Sequence, residues 1–428
     1  MKSITLDAPD GNWLERQCRQ QVMRRLQALQ NGLLVIHEQG QQWSLGDTNS
    51  ELRADVIIHD PEAWRSLALN GGLGAGEAYM TGDWSSPDLP AVIRLFSRNQ
   101  AVLHGIDSGI AQLARHALRL LAWQQRNTEK GARRNIAAHY DLGNDMFQLF
   151  LDPTLMYSSA MFPHADATLE QASLFKLDRI CQKLQLTPDD HLLEIGTGWG
   201  SMAIHAARHY GCRVTTTTIS RQQYDLARQR IQDAGLDDRI TLLLQDYRQL
   251  EGRFDKLVSI EMIEAVGHQY LPRYFNALRQ LLKPDGLALI QAITIQDQHY
   301  NRAVRNVDFI KRYIFPGGFL PSVTVLHNAM TNASDLRSLH LEDFGPHYAE
   351  TLRRWRAAFM ANRSHLQTMG YNDTFVRMWD YYFAYCEGGF DERVISVVQL
   401  LMARPGHRDN GWQAPLLASP QSPGAANG

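Results

Sequence analysis

Glycines spaced two apart behind a carboxylate form the most chemically suggestive stretch of this 428-residue chain. In Leu192-Leu193-Glu194-Ile195-Gly196-Thr197-Gly198-Trp199-Gly200-Ser201, a short apolar run ends in glycines that permit a tight reversal and let backbone amides approach a ligand closely. A dinucleotide-binding turn would carry its third glycine at position 201, where this chain has Ser201. The pattern is instead Gly-x-Gly-x-Gly after an acid. Glu194 then meets a polar group of a small ligand, while Gly196, Gly198 and Gly200 make room for it. Taken alone, the same residues also suit an ordinary strand-to-helix turn of another α/β enzyme.

The elements around this turn alternate. Leu192 to Ile195 reads as a buried strand, Ser201 to Tyr210 as a helix, Arg213 to Thr218 as a β-branched strand and Ser220 to Ala234 as a helix. Ile240 to Leu244, Lys256 to Ser259, Gly286 to Ala292 and Ile395 to Met402 read as further strands. Such alternation predicts an α/β fold, an open and mainly parallel sheet with helices on both faces. Ligands of such sheets lie beyond the carboxyl ends of the strands. At the second strand end, Ser220 and Gln223 can hydrogen-bond to ribose hydroxyls beside Thr218; at the third, Asp246 can accept from an adenine amino group and the Tyr247 ring can cover the base. The glycine turn resembles the first motif of class I S-adenosylmethionine methyltransferases, and three strand ends in register support that likeness.

Outside this region the sequence reads differently. Trp13 to Leu34 carries apolar residues at helical spacing, and Leu33 to Ile36, Gln42 to Leu45 and Ala54 to Ile58 are short strand candidates of a small mixed α+β domain over 1–105. Gly71 to Trp84 is glycine-rich but follows no clear strand, so it is a weak phosphate cradle. Between Ser108 and Arg134 there are six Lys or Arg against one acid, Glu129. A basic linker helix over 106–134 is either a solvated face or an attraction to anionic lipid headgroups, worth about 1 kcal/mol per basic residue near the surface. The main α/β domain is expected over 135–412, and the Pro-, Ser-, Ala- and Gly-rich stretch 413–428 as a disordered tail. With 43 Lys plus Arg against 45 Asp plus Glu, no global field recommends a nucleic-acid partner. Cys18, Cys181, Cys212 and Cys386 are scattered, which encodes neither a zinc site nor a disulfide framework and suits a reducing compartment. No uncharged apolar run is long enough to span a bilayer.

From about Asn135 to Arg404 the sequence resembles the cyclopropane-fatty-acyl-phospholipid synthases and their mycolic-acid-modifying relatives. The likeness rests on His139-Tyr140-Asp141-Leu142-Gly143-Asn144-Asp145, Tyr157-Ser158-Ser159-Ala160, the Leu193 to Gly200 turn, Gln245-Asp246-Tyr247-Arg248, Glu264-Ala265-Val266-Gly267 and Tyr313-Ile314-Phe315-Pro316-Gly317-Gly318. Gly76-Glu77-Ala78-Tyr79 with Gly82-Asp83-Trp84 also looks like the N-terminal domain of the phospholipid-acting members, so 1–105 is expected to be lipid-binding-like. The resemblance implies a Rossmann-like class I methyltransferase. It implies S-adenosylmethionine contacts from Tyr157, Ser158, Glu194, Gly196, Thr197, Gly198, Trp199, Gly200, Thr218, Ser220, Gln223, Asp246 and Tyr247.

It further implies a reaction. An isolated cis double bond attacks the sulfonium methyl, and the family is understood to hold a bicarbonate ion as the base that removes the following proton. Its bicarbonate site uses a Cys, a Glu, a His, a Tyr and a backbone group. Glu264 and Tyr348 persist at matching positions, while Ser159 stands for the Cys and Gln291 for the His. Cys386 matches a cysteine once proposed as the active residue, although a buried core thiol is the plainer reading. Loss of the proton from the new methyl gives a cyclopropane; loss from a neighbouring carbon leaves a methylene or methyl-branched alkene. The favoured expectation is cyclopropane formation on an unsaturated phospholipid acyl chain, by a cytoplasmic enzyme peripheral to the inner face of the membrane, with a homodimer the expected assembly. Methylation of a soluble metabolite and a non-catalytic lipid-binding protein are the alternatives.

Overall fold

The computed structural model describes residues 13–102 and 143–408. The basic segment 106–134, the His139 to Asp141 motif and the tail 413–428 lie outside the described residues. The chain forms two compact units, each assembled from separate stretches: 13–102, 143–150, 294–322 and 348–396 in the first, 151–293, 323–347 and 397–408 in the second.

The first unit opens with the helix Trp13–Leu26, shorter than its periodicity predicts. Four strands follow: β1 (Leu33–Glu38), β2 (Gln41–Gly46), β3 (Arg53–Ile58) and β4 (Trp84–Ser85), in the order β2-β1-β3-β4. Gln39 (φ 48°) and Gly40 (φ 77°) form the two-residue turn of the β1–β2 hairpin, both in the left-handed region that tight hairpins require. The glycine-rich stretch after β3 is no phosphate cradle. It lies in the helix Glu62–Thr81, which breaks at Gly71 (φ 57°) and ends on the left-handed cap Gly82. At Gly76 a Cβ would stand 2.5 Å from the Phe309 ring, so the missing side chain is what allows close packing. The helix Asp373–Asp391, capped by the Asn372 side chain, buries Trp379, Tyr382 and Phe383. With Phe147, Phe150 and Phe359 these rings form an aromatic core at centroid distances of 5.1–6.1 Å.

The second unit is built on a seven-stranded sheet. Its strands are β5 (His191–Ile195), β6 (Arg213–Thr218), β7 (Ile240–Leu244), β8 (Phe254–Ile260), β9 (Leu282–Ile295), β10 (Arg337–Asp343) and β11 (Ile395–Ala403), the last residues of β9 and the first of β11 running into the first unit. The order is β10-β11-β9-β8-β5-β6-β7. β5 pairs in parallel with β6 and β8, β6 with β7, and β8 with β9; β10 runs antiparallel to β11. Every strand read from the sequence is present, and the mainly parallel α/β sheet is as expected. β10 is the addition: its exposed and half-buried residues show no alternation to reveal it. The chain leaves β5 first toward β6 and β7 and later returns to its other side through β8, so the sheet changes direction of winding at β5–β8. A crevice forms at the carboxyl ends of strands at such a reversal. Beneath it, Leu177, Ile180, Leu192, Met202 and Ala206 make a dry core that fixes the strand ends.

Candidate functional site

Three loops carry polar groups at the carboxyl ends of β5, β6 and β7. After β5 the chain turns through Gly196 (φ 102°), Gly198 (φ 53°) and Gly200 (φ 89°), conformations costly for any residue with a Cβ. A Cβ at Gly198 would meet no heavy atom within 4 Å, so open space lies over this turn. Glu194, on the strand itself, is 2% exposed. It accepts a 2.6 Å hydrogen bond from Thr216, whose hydroxyl lies 2.7 Å from that of Thr197. Burial pushes the Glu194 carboxyl up to about 8, opposed by the Thr216 bond and by Lys176. Trp199 is buried, and its carbonyl accepts from Arg230 at 2.6 Å.

The β6 loop is internally satisfied. Ser220 caps the helix Arg221–Asp233 by accepting from the Gln223 amide at 3.2 Å, and Thr218 donates to the Gln223 side chain at 2.8 Å. After β7, both oxygens of Asp246 accept from the Arg248 guanidinium, at 2.8 and 2.6 Å. Tyr247 packs edge-on against Tyr274 at 5.5 Å, and burial holds its phenol up at about 12. Gln223 and Asp246 therefore present polar edges whose geometry their neighbours fix.

A second cluster gathers around the end of β8. Lys176, fully buried on the helix Leu169–Lys183, donates to the Ser158 hydroxyl at 2.8 Å. Burial pulls this ammonium down to about 8, against the charges of Glu261, Asp152 and Glu194. Glu261, the residue after β8, has a φ of 48°, which turns its side chain out of the strand. Its Oε1 accepts from the Ser159 backbone amide at 2.9 Å and from the Gln291 side chain at 2.8 Å. Gln291 in turn accepts from Gln399 at 3.0 Å, and Gln399 from Lys183 at 2.7 Å. All donors in this chain of amides point toward Glu261, a polarised arrangement that starts on an ammonium and ends on a carboxylate. Glu264 lies three residues on. Its Oε1 accepts from the Ile293 amide at 2.5 Å, while Oε2 is buried without a hydrogen-bond partner. Burial and the neighbouring Glu261 charge push Glu264 up to about 8.

Ser159, Gln291 and Glu264 thus belong to the second unit and lie around Glu261, with the Ser159 hydroxyl turned to the Ala160 carbonyl at 3.0 Å. Tyr157 is half-buried nearby in sequence. Tyr348 and Cys386 belong to the first unit. The Tyr348 ring stacks on Phe390 at 4.5 Å, and burial pushes the Cys386 thiol well up, opposite to what an activated thiolate needs. Sequence reasoning missed Glu261 and Lys176. The first is a carboxylate immediately after a buried strand, on the pattern that singled out Asp246. The second is a cation among the buried positions Ala172, Ser173, Leu177 and Ile180 of an amphipathic helix.

The profile of the family described as mycolic acid cyclopropane synthetase matches residues 127–400. Tuberculostearic acid methyltransferase UfaA1 of Mycobacterium tuberculosis is 41% identical over 366 residues, covering 82% of this chain and 83% of that protein. Cyclopropane-fatty-acyl-phospholipid synthase of Escherichia coli is 36% identical over 359 residues, covering 83% and 89%. The crystal structure of the mycolic acid cyclopropane synthase CmaA1 complexed with SAH and CTAB superposes with a TM-score of 0.59 at 32% identity, covering 63% of this chain and 98% of that one. With the glycine turn, the open space above it and the buried carboxylates at the strand ends, these matches make the chain an S-adenosylmethionine-dependent methyltransferase that belongs to the mycolic acid cyclopropane synthetase family.

Proposed function

We propose that this enzyme methylates the cis double bond of an unsaturated phospholipid acyl chain, and that the side chain of Glu261 is the base that takes up the proton the methylated chain must lose. The observation that carries this reading is the pair of hydrogen bonds on the Glu261 carboxylate, from the Ser159 amide and the Gln291 side chain. Those are two of the groups that the family likeness assigns to holding bicarbonate. Here they already hold an anion that the protein supplies itself, so no bicarbonate is required. Oriented by two donors and charged beside the Lys176 ammonium, such a carboxylate can accept a proton without first capturing a solute.

The rest of the site fits the cosubstrate. Bound S-adenosylmethionine supplies an electrophilic methyl on a positively charged sulfur. Glu194 suits its amino group, the Gly196 to Gly200 turn its close approach, and Gln223 with Asp246 and Tyr247 its nucleoside. Tyr157 and Ser158 carry over from the same likeness. Ser158 is held in place by Lys176, and Glu264, as the resemblance implies, helps to organise the base. The resemblance gives Tyr348 to the group of residues that organises the base. The reaction occurs at the cytoplasmic face of a membrane; among the described residues no helix is long and apolar enough to cross one.

The product we favour is a methyl-branched or methylene alkene, the chain keeping one double bond after the proton is lost, because a fixed glutamate replaces a diffusible base and because the likeness to the tuberculostearic acid enzyme extends over 82% of the chain. Ring closure is the second reading, favoured by the match to the Escherichia coli synthase over 89% of its length. NMR of fatty acids isolated from a host lacking such enzymes separates the two, since only a cyclopropane gives high-field ring protons. The base is tested by Glu261→Gln. Product formation should fall at least about a hundredfold, the lower range for a lost general base, while calorimetric affinity for S-adenosylmethionine holds. A variant that methylates at the wild-type rate would sink the assignment.

A further inference from the structure

The loop that carries Ser158 and Ser159 is held at successive residues by different partners within the second unit. Lys176 donates to the Ser158 hydroxyl at 2.8 Å, and the Ser159 amide donates to Glu261 at 2.9 Å. Beyond them the Met161 amide donates to the Ala172 carbonyl at 3.2 Å, and the Phe162 amide to Nδ1 of His347 at 3.0 Å. His347 stands in the first turn of the helix Gly345–Ala361, where Pro346 pre-sets the backbone and the His347 amide donates to the Phe344 carbonyl at 2.9 Å. Its ring lies nearly parallel to that of Phe162, with 6° between the planes and 6.2 Å between centroids, and the Phe344 ring lies 6.3 Å away. Stacking sets the plane of the imidazole, and the Phe162 amide engages one edge of it.

A backbone N–H can only donate, so this imidazole is neutral and carries its proton on Nε2. Protonation places a hydrogen on Nδ1 as well, and a donor then faces a donor. Burial lowers the proton affinity of the ring, opposed by the Glu342 carboxylate of β10. Glu342 is engaged elsewhere, accepting from Arg179 at 2.7 Å and from Lys183, and it also acts on His340 of its own strand. Downstream on the loop, the exposed His164 pairs with Asp166 at 2.8 Å. We infer that His347 is a positioning residue of the methylation: its neutral form fixes the Phe162 end of the loop, and with it the Ser159 amide that orients Glu261, and protonation releases that end. The catalytic consequence rests on the proposed role of Glu261; the latch itself does not.

The Phe162 amide itself is the readout, by hydrogen exchange of the full-length protein resolved to single amides by mass spectrometry. In wild type its protection factor should fall at least about tenfold from about pH 7.5 to about pH 5, as the imidazole takes up its proton. In His347→Asn, whose side-chain oxygen can accept from near the Nδ1 position and does not titrate, protection should persist across that range. His347→Phe keeps a stacked ring without the acceptor, so the amide should exchange fast throughout. Its kcat should fall about five- to tenfold, the scale of one lost hydrogen bond, while His347→Asn keeps most of the wild-type rate. Calorimetric affinity of His347→Phe for S-adenosylmethionine should stay within about twofold of wild type, because Lys176 still holds the Ser158 end. His164→Asn should leave the pH dependence of Phe162 as in wild type. Should His347→Phe fail to fold, wild type against His347→Asn still decides. Protection in wild type that ignores pH, a pH dependence that disappears in His164→Asn, or a folded His347→Phe protein that keeps either the Phe162 protection or the full kcat, overturns the inference. Glu261→Gln should lose methylation and keep the pH-dependent protection of Phe162, which separates failure of this latch from failure of the base.

Discussion

Each unit buries a glutamate beside a strand of its sheet, and the two are satisfied to different degrees. Glu38, on β1, uses both oxygens: Arg19 donates to one at 2.8 Å and Trp64 to the other at 2.7 Å. The Arg19 guanidinium also lies 4.6 Å from the centre of the Trp43 ring. Glu264 uses one oxygen on the Ile293 amide and leaves the other buried without a partner, next to a second carboxylate. A buried carboxylate with a donor on each oxygen holds a fold together. A carboxyl with one oxygen unanswered beside Glu261 costs stability, and it persists where chemistry needs it.

The sharpest way to break this comparison is to remove both groups in turn. Glu38→Ala leaves Arg19 buried without its charge partner and should cost about 3–5 kcal/mol in urea unfolding. Glu264→Gln should act through pH instead. Its carboxyl lies near 8 in the folded protein against 4.5 unfolded, so the native state holds the proton more tightly. That contribution to stability is complete below pH 4.5 and is lost as pH rises through 8. By pH 7 the loss approaches ~3 kcal/mol at full weight. The Gln variant should lose this part of the slope and keep the part due to Glu194, which is shifted in the same direction. Parallel stability curves for wild type and Glu264→Gln between pH 4.5 and 8 would dissolve the contrast with Glu38.

These two glutamates also mark what the sequence makes legible. The strands of the seven-stranded sheet are readable because a β-branched or apolar run of five or six residues between turn residues has few other solutions. Glu194 and Asp246 are readable because they stand at such strand ends. Glu264 is readable only through a family motif. Glu261 shares the strand-end position of Asp246, but its partners are hidden: its donors come from residues 102 and 30 positions away in the chain. No local pattern announces that pairing, and its left-handed backbone carries no signature in a residue that is not glycine. The glycine-rich Gly71 to Gly82 stretch misleads in the other direction. Its glycines serve a helix break and a close approach to Phe309, which spacing alone does not distinguish from a ligand loop.

A smaller effect separates satisfaction from mere burial within the second unit. Gln399 is fully buried and passes hydrogen bonding from Lys183 to Gln291. Gln399→Met keeps the volume but leaves the Gln291 carbonyl oxygen without its donor, so the amide that orients Glu261 is free to turn. Methylation should slow about tenfold, ~1.4 kcal/mol, with unchanged affinity for S-adenosylmethionine. The acidic limb of the rate–pH curve should also move to higher pH, since a less well-supported carboxylate holds its proton longer. A variant with lower stability but an unmoved limb would make Gln399 a packing residue alone.

The least effect belongs to the residue that would matter most under a different chemistry. Cys386 sits in the first unit on the helix Asp373–Asp391, and burial with the nearby Asp308 charge raises its thiol. A nucleophilic cysteine needs the reverse: a cationic neighbour or helix N-terminus that lowers the thiol toward neutrality. Attack on a sulfonium methyl by an alkene requires no protein nucleophile, so nothing in the proposed reaction calls for a thiolate. Cys386→Ala should therefore methylate within about twofold of wild type, the scale of a small packing change away from the reacting atoms. Iodoacetamide at neutral pH should modify the wild-type thiol slowly and without matching loss of rate. Stoichiometric inactivation protected by S-adenosylmethionine, together with a slow but folded Cys386→Ala enzyme, would transfer the chemistry from the Glu261 cluster to the aromatic helix.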